Sequence, residues 1–526
     1  MEGDTTPDGY VLESSGECEV LEETVEKQED FFRLPKKMVL TEPVLNSLEK
    51  IKENRDFWKL KLSESKITNV AAPMVDQSEL AFRMFNRQHG TQLTYTPMIH
   101  AHLFVNDSTY RRNSLALCPT DRPLIVQFCA NKVDTFLSAC RLVEGFCDGV
   151  DLNLGCPQMV AKRGRYGSYL QDEVDLICKM VEAVRDYCSI PVSCKIRIRE
   201  DRQQTVNYAR RLVEAGAAML TVHGRTREMK GAETGLADWT RIRDVVEAVD
   251  VPVIANGNIQ FPGDVERCMR ATGAVAVMSA EGLLYNPLIF SSELAHRETW
   301  KVAREYLHYA RKYHAGVSAM RAHVFRICHH SLLEYSDLRM RVSMEHRLED
   351  FESVVDELEK RASEEAATEQ GVERERNALK LFEDIRTGAI EMDPLEVSRA
   401  PHWISKPYFR LSEVAKETLV AEGEKTFKEQ RRERLEKAAK EMGVSLKQAR
   451  KRERRQLTEK KILSVKRLKF DPCARCSQPG GQGCSHFMCK KCCRYVCRHE
   501  KKNCKSHRYA FSEDDRNGLI EQLNPI

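Results

Sequence analysis

The sequence predicts an α/β protein centred on a (β/α)8 TIM barrel, followed by a C-terminal helical domain, a basic helical connector and a small Cys/His module. Three observations predict the barrel. Eight short apolar, β-branched runs follow one another within about 220 of the 526 residues. Several of the stretches between them have helical spacing, and strand–helix alternation implies parallel βαβ units. No GxGxxG follows the first run, which counts against the competing six-stranded doubly wound sheet.

Taken in order, residues 1–55 read as an acidic, largely disordered segment, because residues 1–30 hold eleven acids and one Lys. Residues 56–290 are the barrel. Its runs are Ile67–Ala72, Gln92–Tyr95, Leu124–Phe128, Gly149–Leu154, Val192–Ile198, Met219–Val222, Val253–Ala255 and Ala274–Met278. Leu170 to Tyr187 repeats apolar residues at helical spacing, and Thr205–Ala215 ends at Gly216, a helix-stop residue. After about Pro287 the strands stop. Residues 291–411 read as helical, with Leu348, Phe351, Val355 and Leu358 on one face of a charged helix. Residues 412–470 are the basic, helix-prone connector, residues 471–508 the Cys/His module and residues 509–526 a tail.

Composition bounds the function. Hydrophobic residues at 42% and charged residues at 31% support a core and exclude a wholly disordered chain. No run of about 18 apolar residues predicts a membrane span. The acidic N-terminus lacks the apolar core of a secretory signal and does not suit a transit peptide, so a cytoplasmic and/or nuclear location is expected. Thiols stay reduced there, and clustered Cys points to metal. The net charge of +4 hides a basic block: residues 425–470 hold eighteen Lys/Arg against six Glu.

Barrels of this class work at the C-terminal ends of their strands. The runs end in, or contain, Pro73-Met74, Gln127, Asn153 to Pro157, Lys195 and Arg197, His223-Gly224-Arg225, Asn256-Gly257-Asn258 and Ser279-Ala280-Glu281-Gly282. So many polar residues on one rim argue for a site, and the chemistry argues for a flavin. Lys195 lies in an apolar strand and needs a partner for its charge, which the electron-rich edge of a reduced flavin supplies. Gln127 can donate to and accept from the polar edge of the ring, and Pro73-Met74 offers it an apolar bed. The glycine-bearing turns after runs seven and eight suit a phosphate. Cys156, between Gly155 and Pro157 on a loop, reads as a nucleophile or a general acid. A nucleophile usually needs a nearby base; an acid only has to remain a thiol. Cys129, Cys140 and Cys178 read as small buried thiols. Lys162, Arg163 and Arg165 form a mobile basic loop suited to a phosphate-rich substrate.

These motifs resemble those of the tRNA-dihydrouridine synthases. The resemblance rests on Asp151-Leu-Asn-Leu-Gly-Cys-Pro-Gln158 with Val160-Ala-Lys-Arg-Gly-Arg165, Ala72-Pro-Met-Val75, Cys194-Lys-Ile-Arg197, Val222-His-Gly-Arg-Thr226 and Ala255-Asn-Gly-Asn-Ile259. Asp76-Gln-Ser-Glu-Leu80, Tyr95-Thr-Pro-Met98, Pro123-Leu-Ile-Val-Gln127 and Met278-Ser-Ala-Glu-Gly282 narrow it to the eukaryotic subgroup acting at positions 16 and 17. The match is close over residues 56–290 and looser through His402-Trp-Ile404 and Lys406-Pro-Tyr408.

The resemblance implies FMN at the barrel mouth, NADPH as reductant, and reduction of a uracil C5=C6 bond in the D-loop of tRNA. It implies that Cys156 is the acid protonating C5. Pro73, Met74, Val75, Gln127, Lys195, His223, Asn256, Gly257, Asn258, Ala280 and Glu281 would line FMN. Asn153 and Arg197 would face the uracil; Arg225 and the basic loop of Lys162, Arg163 and Arg165 are expected on the substrate side as well. One departure stands out: many family members have Gly-Arg where this chain has Ala280-Glu281, and Glu281 should repel the FMN phosphate. Backbone N–H groups and His223 are expected to hold it instead. No second dinucleotide fold is visible, so NADPH and tRNA are expected to use one flavin face in turn.

A substrate base must leave its stack to reach a flavin, so RNA binding elsewhere has to compensate. The helical domain and the connector, densest at Arg450, Lys451, Arg452, Arg454 and Arg455, can supply it. The same run also reads as a nuclear-localisation signal. In the Cys/His module, Cys473, Cys476, Cys484, Cys489, Cys492, Cys493, Cys497, Cys504 and His507 are candidate ligands for one or two structural zinc ions. Spacing alone leaves the pairing open. Its Arg494, Arg498, Lys501, Lys502 and Lys505 suit RNA, and a protein partner suits the module almost as well. Two other functions compete: a flavin barrel reducing a small pyrimidine or enone, and an RNA-binding zinc protein with an inactive barrel.

Overall fold

Eight parallel strands close on themselves in chain order. The computed structural model describes residues 18–20 and 31–410, apart from 36–37, 232–233 and 292–294, and parts of 432–507. The strands are β1 (Asn69–Ala71), β2 (Leu93–Tyr95), β3 (Leu124–Cys129), β4 (Gly149–Leu154), β5 (Val192–Arg197), β6 (Met219–His223), β7 (Val253–Asn256) and β8 (Ala276–Ser279). Each pairs with the next, and β8 pairs with β1, closing the expected barrel. Every run read from the sequence overlaps one strand.

The strands are apolar on both faces because helices cover the outside and side chains fill the inside. Outward positions such as Val126, Leu152, Ile196, Val222, Ala255 and Val277 join the helices in one core. Inward positions Val70, Leu93, Tyr95, Ile125, Met219, Ile254 and Met278 form a second cluster, with Trp58 and Leu62 of the helix Leu48–Glu64 packed against it. Two-residue periodicity keeps the next inward positions on the same face. Those positions are Gln127, Asn153, Lys195, His223 and Asn256. The lumen therefore turns from apolar to polar toward the strands' C-terminal ends.

The N-terminal reading needs correcting. The sequence suggested disorder to residue 55, but residues 48–55 belong to the Leu48–Glu64 helix. Phe31 and Leu34 are buried in the core, and Phe32–Arg33 pairs with Ala116–Leu117. Two or three apolar residues in an acidic stretch were enough to anchor it. Most of residues 1–30 lies outside the described residues.

The helical region docks on the barrel through Glu79. Its carboxylate accepts from Tyr306 Oη at 2.9 Å and pairs with His323 Nε2 at 3.1 Å. Phe82 stacks on the His323 ring with centroids 4.0 Å apart. The expected face of Leu348–Ala366 is buried at Phe351, Val355 and Leu358. The chain then returns to the barrel: Ile404 bridges Glu298, Trp403 is fully buried, and Tyr408 stacks on Tyr285.

The chain divides into two compact units, Met1–Phe427 and Lys428–Ile526. In the second, Leu435, Ala439 and Ala449 pack together, and Lys490–Glu500 is a helix. Most of the connector, including Arg454 and Arg455, lies outside the described residues. No helix among the described residues is long and apolar enough to cross a membrane.

Candidate active site

Strand register assembles the mouth of the barrel. Asn153 lies opposite Lys195, and Arg197, His223 and Asn256 lie side by side on β5, β6 and β7. Lys195 Nζ donates to Asn256 Oδ1 at 2.9 Å, and Asn256 Nδ2 donates to the Met278 carbonyl at 2.8 Å. Burial, aided by Arg197, lowers the Lys195 ammonium to about 8.

Beneath it lies a group that the sequence reading quoted but gave no role. Asp151 is fully buried and accepts from Gln127 Nε2 at 2.8 Å and Ser193 Oγ at 2.7 Å. Burial raises its carboxyl to about 6, against the pull of Gln127, Ser193 and Lys195. It fixes the Gln127 amide with its oxygen toward Asn153, whose Nδ2 donates to Gln127 Oε1 at 2.8 Å.

Cys156 is held from both sides. Its N–H donates to Asn153 Oδ1 at 3.1 Å, and its carbonyl accepts from Ser168 N at 3.1 Å and Ser168 Oγ at 2.9 Å. Arg197 donates from Nε to Gly155 O at 2.9 Å and from Nη1 to Thr226 O at 2.7 Å, tying this loop to the one after β6. Asn153 and Arg197 were expected to face substrate. In the structure Asn153 Oδ1 and Arg197 Nε fasten the Cys156 loop, while Asn153 Nδ2 bonds Gln127 and Arg197 Nη1 bonds the loop after β6.

Gly167 closes the clamp. Its φ of +64° lies in the left-handed region, and a Cβ there would stand 2.8 Å from the Cys156 carbonyl oxygen. Gly167→Ala should therefore cost about 1–2 kcal/mol of stability, read as a small fall in Tm. Its turnover should drop more than tenfold as the Cys156 loop shifts; unchanged turnover would show that the loop position does not matter.

The basic segment after Cys156 is not a loop. Met159–Gly164 is a short helix capped by Arg165 at φ +52°. Arg165 pairs with Glu173 at 2.8 Å at the surface. Lys162 and Arg163 are exposed. Arg227, Lys230 and Lys162 surround the Tyr169 ring at 5.4–5.9 Å, and Tyr169 Oη donates to Pro157 O at 3.1 Å. Arg227, Lys230 and Tyr169 went unnoticed in the sequence, because no spacing links them to Cys156.

A cleft of about 690 Å³ opens beside the mouth, lined by His223, Asn256, Gly257, Asn258, Ala280 and Glu281 among others. Arg225, grouped with the substrate residues from sequence, lines this cleft. It donates to Asn258 Oδ1 at 2.6 Å and to His223 Nε2 at 3.1 Å. An arginine only donates, so Nε2 is the acceptor and a neutral His223 carries its proton on Nδ1. Burial, then Lys195, Arg197 and Arg225, hold His223 well below its usual range. Pro73 and Met74 stand beyond β1, pinned by the Met74 N–H to Ser78 Oγ bond of 3.0 Å, with Val75 exposed. They do not line the cleft.

The family model described as dihydrouridine synthase (Dus) matches residues 70–383. The chain belongs to the dihydrouridine synthase family. It is 41% identical over 456 residues to a tRNA-dihydrouridine(16/17) synthase (NAD(P)(+))-like protein of Rattus norvegicus, covering 86% of this chain and 97% of that one. It is 39% identical to a tRNA-dihydrouridine(16/17) synthase (NAD(P)(+)) of Saccharomyces cerevisiae, covering 70% and 90%. A Homo sapiens tRNA-dihydrouridine(20a/20b) synthase (NAD(P)+)-like protein is 39% identical over 228 residues, 43% of this chain and 71% of its own. This dihydrouridine synthase is accordingly an oxidoreductase.

The mouth fits a flavin mononucleotide on its donors. Lys195 is a partly buried cation whose side chain donates to a single neutral oxygen, that of Asn256, and so still has N–H groups to offer an electron-rich ring edge. Gly257, at φ +114°, makes the turn possible, because a Cβ there would meet Ala237 at 2.6 Å. The repulsion expected from Glu281 is offset by a residue 129 positions away: Arg410 Nη1 donates to Glu281 Oε2 at 2.7 Å, and Nη2 to Oε1. Arg410 and Arg225 both line the cleft.

Flavin affinity of the apoprotein should weaken as pH rises through about 8, where Lys195 loses its proton. Lys195→Met should bind weakly at every pH and lack this step in a fluorescence-quenching titration. A step retained in the variant would assign it to another group.

Proposed function

We propose that this dihydrouridine synthase reduces the C5=C6 bond of uridines in the D-loop of tRNA, at positions 16 and 17, with NADPH as reductant and FMN at the barrel mouth. The observation carrying this reading is Cys156: a partly exposed thiol clamped by Asn153 and Ser168 beside a mouth that holds Lys195. FMN, when bound, supplies the hydride for uracil C6. The chain's own residues do the rest. Cys156 gives the Sγ proton to C5 and regains one from solvent. Asn153 and Arg197 hold the loop carrying it. Lys195 keeps a positive charge at the mouth, and Asp151 keeps Gln127 oriented beneath it. Arg225 and Arg410 face the phosphate end.

The exposed cations Lys162 and Arg163, with Arg227 and Lys230 around Tyr169, make a basic rim next to Cys156 that suits RNA phosphates. A base drawn from its stack into the mouth is compensated by such contacts. The C-terminal module is a structural zinc unit in this reading, NADPH and tRNA take turns at the same face, and the protein works in the cytoplasm and/or nucleus.

The test is direct. The purified protein should be yellow and form dihydrouridine in unmodified tRNA given NADPH. tRNA from cells lacking it should carry uridine at positions 16 and 17 by mass spectrometry. Equal activity on free uridine would support a small-pyrimidine reductase. Colourless protein that binds tRNA normally would support an RNA-binding protein with an inactive barrel.

A further inference from the structure

The ligands of the Cys/His module fall into two groups that chain order does not suggest. Cys473, Cys476, Cys489 and Cys492 have ligand atoms all within 4.8 Å of one another, as do Cys484, Cys493, Cys504 and His507. Zinc held tetrahedrally at ~2.3 Å by thiolates and ~2.05 Å by imidazole sets S–S edges of ~3.8 Å and S–N edges of ~3.6 Å. The structure has Cys476–Cys489 at 3.7 Å, Cys484–Cys504 at 3.9 Å and Cys504 Sγ to His507 Nδ1 at 3.6 Å. The S–S distances are nearly twice a disulfide bond of ~2.0 Å.

We propose that the module binds two zinc ions in interleaved sites. The first is all thiolate: Cys473, Cys476, Cys489 and Cys492. The second is Cys484, Cys493, Cys504 and His507. Thiolate-rich tetrahedral sets select zinc among common divalent ions. Cys497 lies 3.6 Å from Cys493 and forms a three-ligand group with it and His486; with Cys493 taken by the second site, Cys497 is left as a buried spare thiol.

The interleaving has a mechanical consequence. Cys484 lies in sequence between the two halves of the first site. Cys492 and Cys493 are neighbours in the helix Lys490–Glu500 yet serve different sites. Successive residues of a helix point ~100° apart, which is what lets one helix brace both ions. Among the described residues of the module, the buried cluster is Cys484, Cys493, Cys497 and Cys504, with Met488 packed against it. A fold this small needs the metal, and each ion holds the helix for the other.

This inference rests on the zinc reading, and metal analysis of the full-length chain separates the two. Wild type should contain two zinc ions per chain. Cys476→Ser and His507→Ala should each contain at most one, and Cys497→Ser should keep two. Any zinc remaining in Cys476→Ser should pass to a chelator at least tenfold faster than from wild type. No zinc in wild type would overturn the zinc reading itself. One zinc in wild type would overturn the pairing, as would two in His507→Ala with one in Cys497→Ser. An unchanged release rate would overturn the coupling.

Discussion

Cys156→Ala is expected to lower dihydrouridine formation by about 10²–10⁴-fold, the usual range for losing a positioned general acid, while flavin binding stays as in wild type. Among the described cysteines outside the Cys/His module, Cys156 is the one that is not buried. Burial pushes its neighbour Cys129 up to about 12 and Cys194 well above the usual thiol range, so neither can substitute. Alanine leaves the Asn153 and Ser168 bonds intact, because both involve the Cys156 backbone. The variant therefore removes the proton donor and leaves its scaffold. Single-turnover assays should show normal flavin reduction by NADPH and slow reoxidation by tRNA. Reoxidation at the wild-type rate would mean that the C5 proton comes from elsewhere.

Arg410→Ala should weaken flavin binding by up to about fivefold, since losing one partner of an exposed charge pair costs about 0.2–1 kcal/mol. The variant would leave Glu281 without its Arg410 partner, facing a phosphate-bearing ligand in the same cleft. Glu281→Gln alone should bind as well as wild type. The double variant should recover most of the loss, because the unpaired carboxylate causes it. Dissociation constants from flavin fluorescence close the cycle. If the double variant is as weak as Arg410→Ala, the arginine contacts the ligand directly and does not act by neutralising Glu281. High salt should shrink all these differences, because Arg410 and Glu281 are each more than a third exposed.

How much of this was legible depends on the range of the interaction. The eight strands could be read because a buried parallel strand must be apolar on both faces, a local property visible in runs such as Leu124–Phe128. The rim could be read because polar residues at strand ends have no packing reason to be there. The roles were less legible. Asn153 and Arg197 looked like substrate ligands, and their hydrogen bonds to Gln127, Gly155 and Thr226 add a bracing part that spacing did not suggest. Asp151 sat inside a quoted motif, but its place under Lys195 follows from barrel closure. The Lys162–Arg165 segment has charge enough for a loop, yet it lies in and just after the short helix Met159–Gly164.

What local pattern dictates, then, is the barrel, the cysteine at its rim, the basic and acidic blocks and the metal-binding character of the C-terminal cysteines. Each follows from side chains a few residues apart. Tertiary structure alone decided three matters. It placed Arg410 on Glu281, it tied Asn153 and Arg197 to the loop that carries Cys156, and it sorted the module's cysteines into interleaved groups. All three depend on which distant segments meet, and spacing along a chain carries no record of that.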